Sequence, residues 1–123
     1  MQTMTKTCVS AFLLILILVG ITACGGKPRG MSDTAYEVGK NAVNVAEDYL
    51  SGVISADTAS EKLGRLYDQI PKSDDESIYD ISIRSSILSL QFQIGNVDKS
   101  WHTTTTADVR DELNKLKEKL NLK

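Results

Sequence analysis

Cys8, Cys24 and His102 carry the only thiols and the only imidazole of the 123-residue chain. A thiol can act as a nucleophile or a metal ligand, and an imidazole can act as a general base or a metal ligand. A tetrahedral metal site needs more ligands than this spacing brings together. No serine lies in a Gly-x-Ser-x-Gly turn, and no phosphate-binding or dinucleotide-binding glycine pattern is present. We therefore expect no catalytic residues, no metal and no bound cofactor, and we predict that the chain is not an enzyme.

Two acidic segments are weak candidates for cation binding. Around Gly52 the chain has the acid, glycine and isoleucine of a calcium loop, but alignment on this glycine puts Tyr49 and Ser51 at ligand positions. Thr58 then stands where a calcium loop needs its bidentate glutamate. The second segment, residues 74–76, is three consecutive acids, which suit the positive end of a helix dipole. Neither segment predicts a metal site.

The first 24 residues have the charge and hydropathy pattern of an export signal. Lys6 is the only charged residue among them, and a 13-residue apolar run follows at residues 9–21. A membrane-spanning helix needs about 20 apolar residues, and the Gly- and Pro-rich segment 25–30 ends this run too early. The pattern indicates a cleaved signal peptide. An uncleaved anchor and a buried helix are the alternatives.

The four residues Ile21, Thr22, Ala23 and Cys24 resemble the lipobox of bacterial lipoproteins. In that class a branched aliphatic residue and two small residues are recognised by the signal peptidase. The resemblance implies cleavage before Cys24, whose thiol accepts diacylglycerol as a thioether. It also implies an N-acyl chain, such as palmitate, on this residue in members that carry three chains. One chain binds a membrane weakly, whereas two or three hold it durably.

The same resemblance implies a location. The mature protein is expected on the extracytoplasmic face of the cell membrane, anchored by lipid. Gly25 follows the cysteine where an aspartate would signal inner-membrane retention, so an outer-membrane location stays open for a Gram-negative source. A Gram-positive source is favoured.

Charge limits the partners of the mature chain. Lys6 is the only base before Cys24 and no acid precedes it, so the segment from Cys24 onward keeps 13 of the 14 bases and all 16 acids, a net charge of −3. A nucleic-acid binder needs a basic face, and so does a protein that docks on anionic lipid by charge. We expect neither nucleic acid nor electrostatic lipid docking.

The chain divides into three parts. Residues 1–23 form the signal peptide, residues 24–33 hold the lipidated cysteine and a flexible linker, and residues 34–123 form one helical domain. The Gly- and Pro-rich segment 25–31 reaches roughly 25 Å when extended. The domain is therefore expected to stay near the bilayer.

The first two helices are predicted to form an antiparallel hairpin. The first runs from Thr34 to Ser51, with Thr34 and Glu37 as a capping box. Gly39 and Ala46 flank its apolar face, so another helix can approach closely. Ser55 caps the second helix, and Pro71 ends it. The apolar faces, at alternating spacings of three and four, are Ala35, Val38, Ala42, Val45 and Tyr49 in the first helix and Ala59, Leu63, Leu66 and Ile70 in the second.

Residues 78–94 are ambiguous between a hairpin and one helix. Apolar and polar residues alternate in parts of this segment, which is typical of strands, but Ser85-Ser86 lacks the turn residues that a hairpin requires. A capping box at Ser73 and Glu76 favours one helix from Asp74 to Val97. It would carry two apolar stripes, which predicts burial on two sides, or one exposed stripe where neighbours cannot cover both. The stripes are Tyr79, Ile83, Ile87, Leu90, Ile94 and Val97, and Ile78, Ile81, Leu88 and Phe92.

The last helix is predicted from Ala107 to Leu120, capped by Thr105 or Thr106, with its acids early and its lysines late. Its apolar stripe is Val109, Leu113, Leu116 and Leu120. In the preceding connection His102 is expected to be structural or solvent-exposed. Trp101 is expected to fold back over the end of the bundle, with contact to a partner or the membrane as the alternative. The fold class is therefore all-α, a small four-helix bundle.

For function, the leading hypothesis is a tethered module that binds an envelope protein or a copy of itself. The alternative is a carrier of a small ligand or lipid, which needs a cavity of roughly 300 Å³ or more. A third reading makes the released apolar fragment 16–23 a peptide pheromone.

Overall fold

The computed structural model describes residues 26–97, 99, 101 and 103–122, and these form four helices and no strand. They are α1 (Asp33–Leu50), α2 (Ala56–Gln69), α3 (Ile78–Asn96) and α4 (Thr106–Lys119). The predicted all-α fold is confirmed. Ser85 and Ser86 lie inside α3, so the segment that was ambiguous is one continuous helix and not a hairpin.

Two of the four helix starts follow the predicted caps. The Ser55 side chain accepts a hydrogen bond from the Thr58 N–H at the start of α2. At α4, Thr105 and Asp108 form a reciprocal capping box, in which the Thr105 N–H donates to Asp108 Oδ2 at 2.8 Å. Each cap satisfies backbone N–H groups that have no partner within the helix.

The predicted starts of α1 and α3 are wrong. Ser32, and not Thr34, caps α1 by accepting from the Ala35 N–H. Ser77 caps α3 by accepting from the Asp80 N–H, four residues after the predicted cap at Ser73. In both corrections the observed cap lies beside a long-range hydrogen bond, in which the backbone N–H of Ser32 donates to Asp80 in the first turn of α3.

The helices alternate in direction, and α1 and α3 occupy the middle of the bundle. Each of these two helices packs against the other three, whereas α2 and α4 lie on opposite sides and do not pack against each other. Gly64 lies beside Gln91 and Ser60 beside Gly95, so α2 runs antiparallel to α3. Loops of five to nine residues are short enough for this up-and-down order.

Small residues let α1 sit at the centre. Gly39 and Ala46 are buried, as predicted from their position beside the apolar face. A Cβ at Gly39 would lie 2.8 Å from Leu120 Cδ2 and 3.3 Å from Ile83 Cγ2, so α1, α3 and α4 meet at this glycine. The buried side of α1 is centred on residues 35–46, and the predicted face residues Val45 and Tyr49 are only half-buried.

The core uses the predicted stripes of the outer helices. In α2, Ala59, Leu63 and Ile70 are buried and Leu66 is half-buried. All four apolar residues of the α4 stripe are buried as predicted, namely Val109, Leu113, Leu116 and Leu120.

Part of the predicted linker packs on the bundle. Met31 is buried in the core, and its N–H donates to the carbonyl of Pro28 at 3.2 Å. Lys27 Nζ lies 2.8 Å from Asp33 Oδ1, and Asn121 Nδ2 donates to the Gly26 carbonyl at 3.5 Å. The chain is therefore in contact with the domain from Gly26 onward, because an apolar side chain and two polar contacts hold this segment.

Candidate functional site

The residues predicted for lipidation and peptidase recognition lie outside the described part of the chain. Cys24 is the predicted lipid site, and Ile21, Thr22 and Ala23 are the predicted recognition residues. The described chain begins at Gly26, two residues after Cys24. His102 also lies outside the described residues.

Trp101 does not cover the end of the bundle. Its side chain is 74% exposed, and the ammonium of Lys99 lies 5.8 Å from the centre of its ring. Val97, half-buried, packs against the core at this end instead. The prediction that Trp101 folds back over the bundle is therefore wrong, because most of its side chain lies in solvent beside the ammonium of Lys99.

The acidic segment before α3 is used for an ion pair. Both carboxylate oxygens of Glu76 accept from the guanidinium of Arg84, with Nη2 to Oε1 at 2.7 Å. Both side chains are nearly buried, and the hydrogen bonds from Arg84 lower the pKa of Glu76. Within residues 26–97 and 103–122 no three His, Cys, Asp or Glu side chains are grouped so that they could hold a metal ion.

A hydrogen bond between two helix starts fixes the entry of the chain into the bundle. The Ser32 N–H donates to Asp80 Oδ1 at 2.9 Å, and the Ser77 hydroxyl donates to the same oxygen at 3.1 Å. Asp80 is buried. Burial raises the pKa of Asp80, but the hydrogen bonds from Ser32 and Ser77 outweigh this effect, so the net pKa lies below its ordinary value.

This contact also defines which end of the bundle lies next to the segment that follows Cys24. Because Ser32 and Asp80 meet, the starts of α1 and α3 lie side by side, and the segment from Gly26 to Met31 lies at the same end. Gly30 has a positive φ of 87°, and a Cβ there would lie 2.9 Å from the Tyr79 ring. The N-terminal end of α3 is therefore next to the segment that leads to Cys24.

A cleft of about 500 Å³ lies between this segment and the α2–α3 connection. It is open to solvent, and its walls carry hydroxyls and carboxylates, among them those of Ser73, Asp75 and Asp80. A lipid or apolar ligand prefers an enclosed, mainly apolar cavity. The cleft lacks that character.

Most of one predicted apolar stripe of α3 is buried and the other stripe is exposed, although Tyr79 of the first stripe is 47% exposed and Val97 is half-buried. The buried side is formed by Ile83, Ile87, Leu90 and Ile94. On the opposite side, the exposed fractions are 75% for Ile78, 41% for Ile81, 48% for Leu88 and 57% for Phe92. Burial on two sides is therefore wrong, and the alternative of one exposed stripe is confirmed, because α1, α2 and α4 leave this side uncovered.

We call these four residues, with exposed Ser85 between them, the outer stripe. Its members recur at spacings of three, four, three and four, so they lie in line along about 21 Å of helix. At about 200 Å² for a large side chain, the exposed fractions amount to roughly 400 Å² of apolar surface. The largest apolar patch of a monomeric protein is typically about 300–600 Å² and is often functional, so the outer stripe is a candidate binding surface.

The outer stripe lies on a helix that has no free charge. Only two of the 19 residues of α3 are charged. Asp80 is buried under Ser32, and Arg84 is paired with Glu76. Ser82, Ser89 and Gln91 are polar residues beside the stripe. This face is therefore neutral along its whole length.

A groove runs beside the distal part of the outer stripe. It has a volume of about 300 Å³ and lies between α2 and α3, where Ser60, Leu88, Phe92 and Gly95 form its walls. Gly95 keeps it open, since a Cβ at this position would stand 3.7 Å from Ser60 Oγ. The stripe and the groove together form a surface with both projecting and recessed parts.

The roles of Ser32, Ser77 and Asp80 were not predicted from the sequence. A signal for two of them was present, because Ser77-x-x-Asp80 has the same pattern as the capping box assigned at Ser73. No local pattern indicates that Ser32 donates to Asp80, since the two residues are 48 positions apart.

None of the described helices combines the length and the apolar character required to cross a bilayer. Comparison with known proteins finds no family model, no curated protein and no solved structure that matches the chain.

Proposed function

We propose that this protein is a membrane-anchored lipoprotein whose helical bundle is a protein-interaction module at the cell envelope, and that the outer stripe of α3 is its binding surface. The observation that supports the binding role is the row of four exposed apolar side chains on a helix without free charge. The lipid anchor rests on the resemblance of Ile21–Cys24 to a lipobox.

Folding does not account for the outer stripe. The core is complete without it, because the buried residues of α3 already pack against the other three helices. By contrast, the exposed sides of α2 and α4 carry charged residues, as is usual for surface helices. Roughly 400 Å² of apolar surface in water adds nothing to the stability of the monomer, whereas its removal from water on binding is favourable.

A protein fits this surface better than a lipid does. Helices that lie on membranes have Lys and Arg beside their apolar face, where the cations meet the headgroups. Within α3 the only cation is Arg84, which is occupied by Glu76. Serine, glutamine and a groove of about 300 Å³ instead suit the side chains of a partner protein.

The anchor limits where the partner resides. Two Cα–Cα steps separate Cys24 from Gly26, which already contacts Asn121 of the domain. At 3.8 Å per step, the domain lies within about 8 Å of an acylated Cys24. The proposed location is the extracytoplasmic face of the cell membrane, and the partner is a neighbour in or on that membrane.

Proximity labelling from the full chain in a bacterial membrane tests the binding role. The parent is expected to enrich specific membrane proteins or its own copies. Leu88→Glu is expected to reduce this enrichment by about tenfold or more, because it places an unpaired charge in an apolar interface. Asn114→Glu adds the same charge at an exposed position of α4 and is expected to change nothing. Equal labelling by all three proteins contradicts the proposal.

The anchor is tested separately. Cys24→Ser removes the acceptor thiol, and we expect the chain to lose both processing and retention in the membrane fraction. Unchanged processing and retention would leave the lipoprotein assignment without a basis.

A further inference from the structure

We propose that the partner of the outer stripe is the outer stripe of a second copy of this chain, with the two α3 helices parallel and in register. This inference rests on the proposed function, because it names the occupant of the same surface and uses the same anchor.

The spacing of the outer stripe is that of a seam between two helices. Residues that recur at alternating intervals of three and four stay on one line when two helices pack at a small angle. Ile78, Ser85 and Phe92 take one set of positions, and Ile81 and Leu88 take the other. Pairing in register places each residue opposite its own copy. Ser85, the smallest, then lies at the centre, where the two backbones can approach.

The charge of this face suits a second copy. The mature chain has a net charge of −3, so two copies repel each other through most of their surface. The outer stripe is the exception, because its helix has no unpaired charge. Identical surfaces can meet there without like charges opposite each other. A strongly acidic or basic partner would find no complementary charge on this helix.

The shape of this face is also self-complementary. In a two-fold interface each copy must present both a projection and the recess that receives it. Phe92 projects with 57% of its side chain exposed, and the groove between Leu88, Gly95 and Ser60 lies directly beside it. In the proposed pair the Phe92 rings of the two copies lie side by side and offset, and each ring enters the groove of the other copy.

The anchor selects the parallel orientation. The chain reaches the domain at the N-terminal end of α3, where the Ser32 N–H lies 2.9 Å from Asp80 Oδ1. In the proposed pair α3 stands upright on the membrane, so two anchored copies have this end of α3 on the same side. In an antiparallel pair the second anchor would lie away from the membrane by the length of the helix, which is about 28 Å for 19 residues. That distance exceeds the roughly 8 Å between Cys24 and Gly26.

The available area makes the pairing dependent on the anchor. The stripe contributes roughly 400 Å² per copy, and the serines and Gln91 beside it enlarge the contact. The total still lies below the roughly 800 Å² per partner of a standard interface. Confinement of both copies to one membrane raises their effective concentration and offsets this small area. The proposed dimer is therefore stable on the membrane and weak in solution.

Cysteine cross-linking of the full, membrane-anchored chain tests the inference. Single cysteines are introduced as Ile78→Cys, Ser85→Cys and, as a control on α4, Asn114→Cys, each with Cys8→Ser and with Cys24 kept for acylation. A parallel, in-register pair is expected to form dimers through both Ile78→Cys and Ser85→Cys, and none through Asn114→Cys. Adding Leu88→Glu is expected to lower the dimer yield by about tenfold or more.

Each outcome has a defined meaning. Dimers through Ser85→Cys alone indicate an antiparallel pair and overturn the inference. If neither cysteine forms dimers while Leu88→Glu still abolishes labelling of another protein, self-pairing is wrong and the proposed function stands. If Leu88→Glu changes neither readout, both fall. Circular dichroism of Leu88→Glu separates loss of binding from loss of fold.

Discussion

Replacing Ile83 and Ile78 by alanine, one at a time, measures which side of α3 the fold uses. The two positions lie five residues apart in one helix and lose the same atoms. Ile83 is fully buried against α1. Its Cγ2 atom would lie 3.3 Å from a Cβ added at Gly39. Ile78 is 75% exposed.

The expected effects differ by several-fold. Three methylene equivalents at about 0.8 kcal/mol each, with a cavity added, give a loss of about 3 kcal/mol for Ile83→Ala. At Ile78 only a quarter of that burial exists. The higher helix propensity of alanine, about 0.4 kcal/mol, cancels most of it. The free energy of unfolding is therefore expected to change by less than about 0.5 kcal/mol in Ile78→Ala.

Urea unfolding followed by circular dichroism measures both values. The chain from residue 25 onward, which carries no lipid, is used at low concentration, so that association does not hide the outer stripe. With a slope of about 1.5 kcal/mol per M urea, Ile83→Ala is expected to lower the midpoint by about 2 M. Equal midpoint shifts in the two variants, or a larger shift in Ile78→Ala, would refute the assignment of inner and outer sides.

Three further predictions concern the contacts that hold the bundle. Asp80→Asn is expected to lower the free energy of unfolding by about 1.5–3 kcal/mol at pH 7. Because the pKa of Asp80 in the folded protein is lowered, the stability difference between parent and variant should be full above the ordinary pKa of 3.8 and should shrink as the pH falls below it. Denaturation between pH 2.5 and 7 measures this difference. Gly39→Ala is expected to destabilise the fold by about 1 kcal/mol, since crowding against buried Leu120 exceeds the gain in helix propensity. Gly95→Ala should stabilise the fold by about 0.5–1 kcal/mol, because the nearest contact of its new Cβ is at 3.7 Å. Thermal melts that rank the two variants the other way would contradict this packing. Thr105→Ala is expected to cost about 1 kcal/mol through loss of the α4 cap, and the exposed neighbour Thr103 provides a control whose replacement by alanine should leave the unfolding midpoint unchanged.

Local signals were sufficient to predict the four helices and most of the core. The spacing of Leu63 and Ile70, or of Leu113 and Leu116, places each pair on one face regardless of the rest of the chain. Ser55 and Thr105 are caps whose partners lie three residues away. Such features depend on residues that are close in the sequence, so they can be predicted from the sequence alone.

The helix starts at Ser32 and Ser77 required tertiary information. Serine followed three residues later by an acid occurs both at Ser73 and at Ser77, and local energetics hardly distinguish them. The choice is made by Asp80, which must be buried to receive the Ser32 N–H from a distant part of the chain. A carboxylate buried without this donor would be costly, so the cap at Ser77 and the entry of α1 are set together.

The candidate surface was only half predictable for a similar reason. The sequence of α3 is apolar on two sides, and periodicity alone cannot rank them. The side that packs inward is decided by its neighbours. Ser86 lies on that side, is buried, and accepts from Lys119 Nζ of α4 at 2.6 Å. Ser85, one position earlier, lies on the outer stripe, so adjacent serines separate the two sides.

A single buried carboxylate links the proposed anchor to the proposed binding surface. Asp80 holds Ser32, Ser32 fixes the segment that leads to Cys24, and Asp80 itself lies in the first turn of the helix that carries the outer stripe. A bundle attached through a long free tether could turn in any direction, and the stripe would meet partners at random angles. Contact from Gly26 onward would remove most of that freedom, because only Gly25 lies between the proposed lipid site at Cys24 and the first residue in contact with the domain. Lateral pairing of neighbours in one membrane is the association that this arrangement favours.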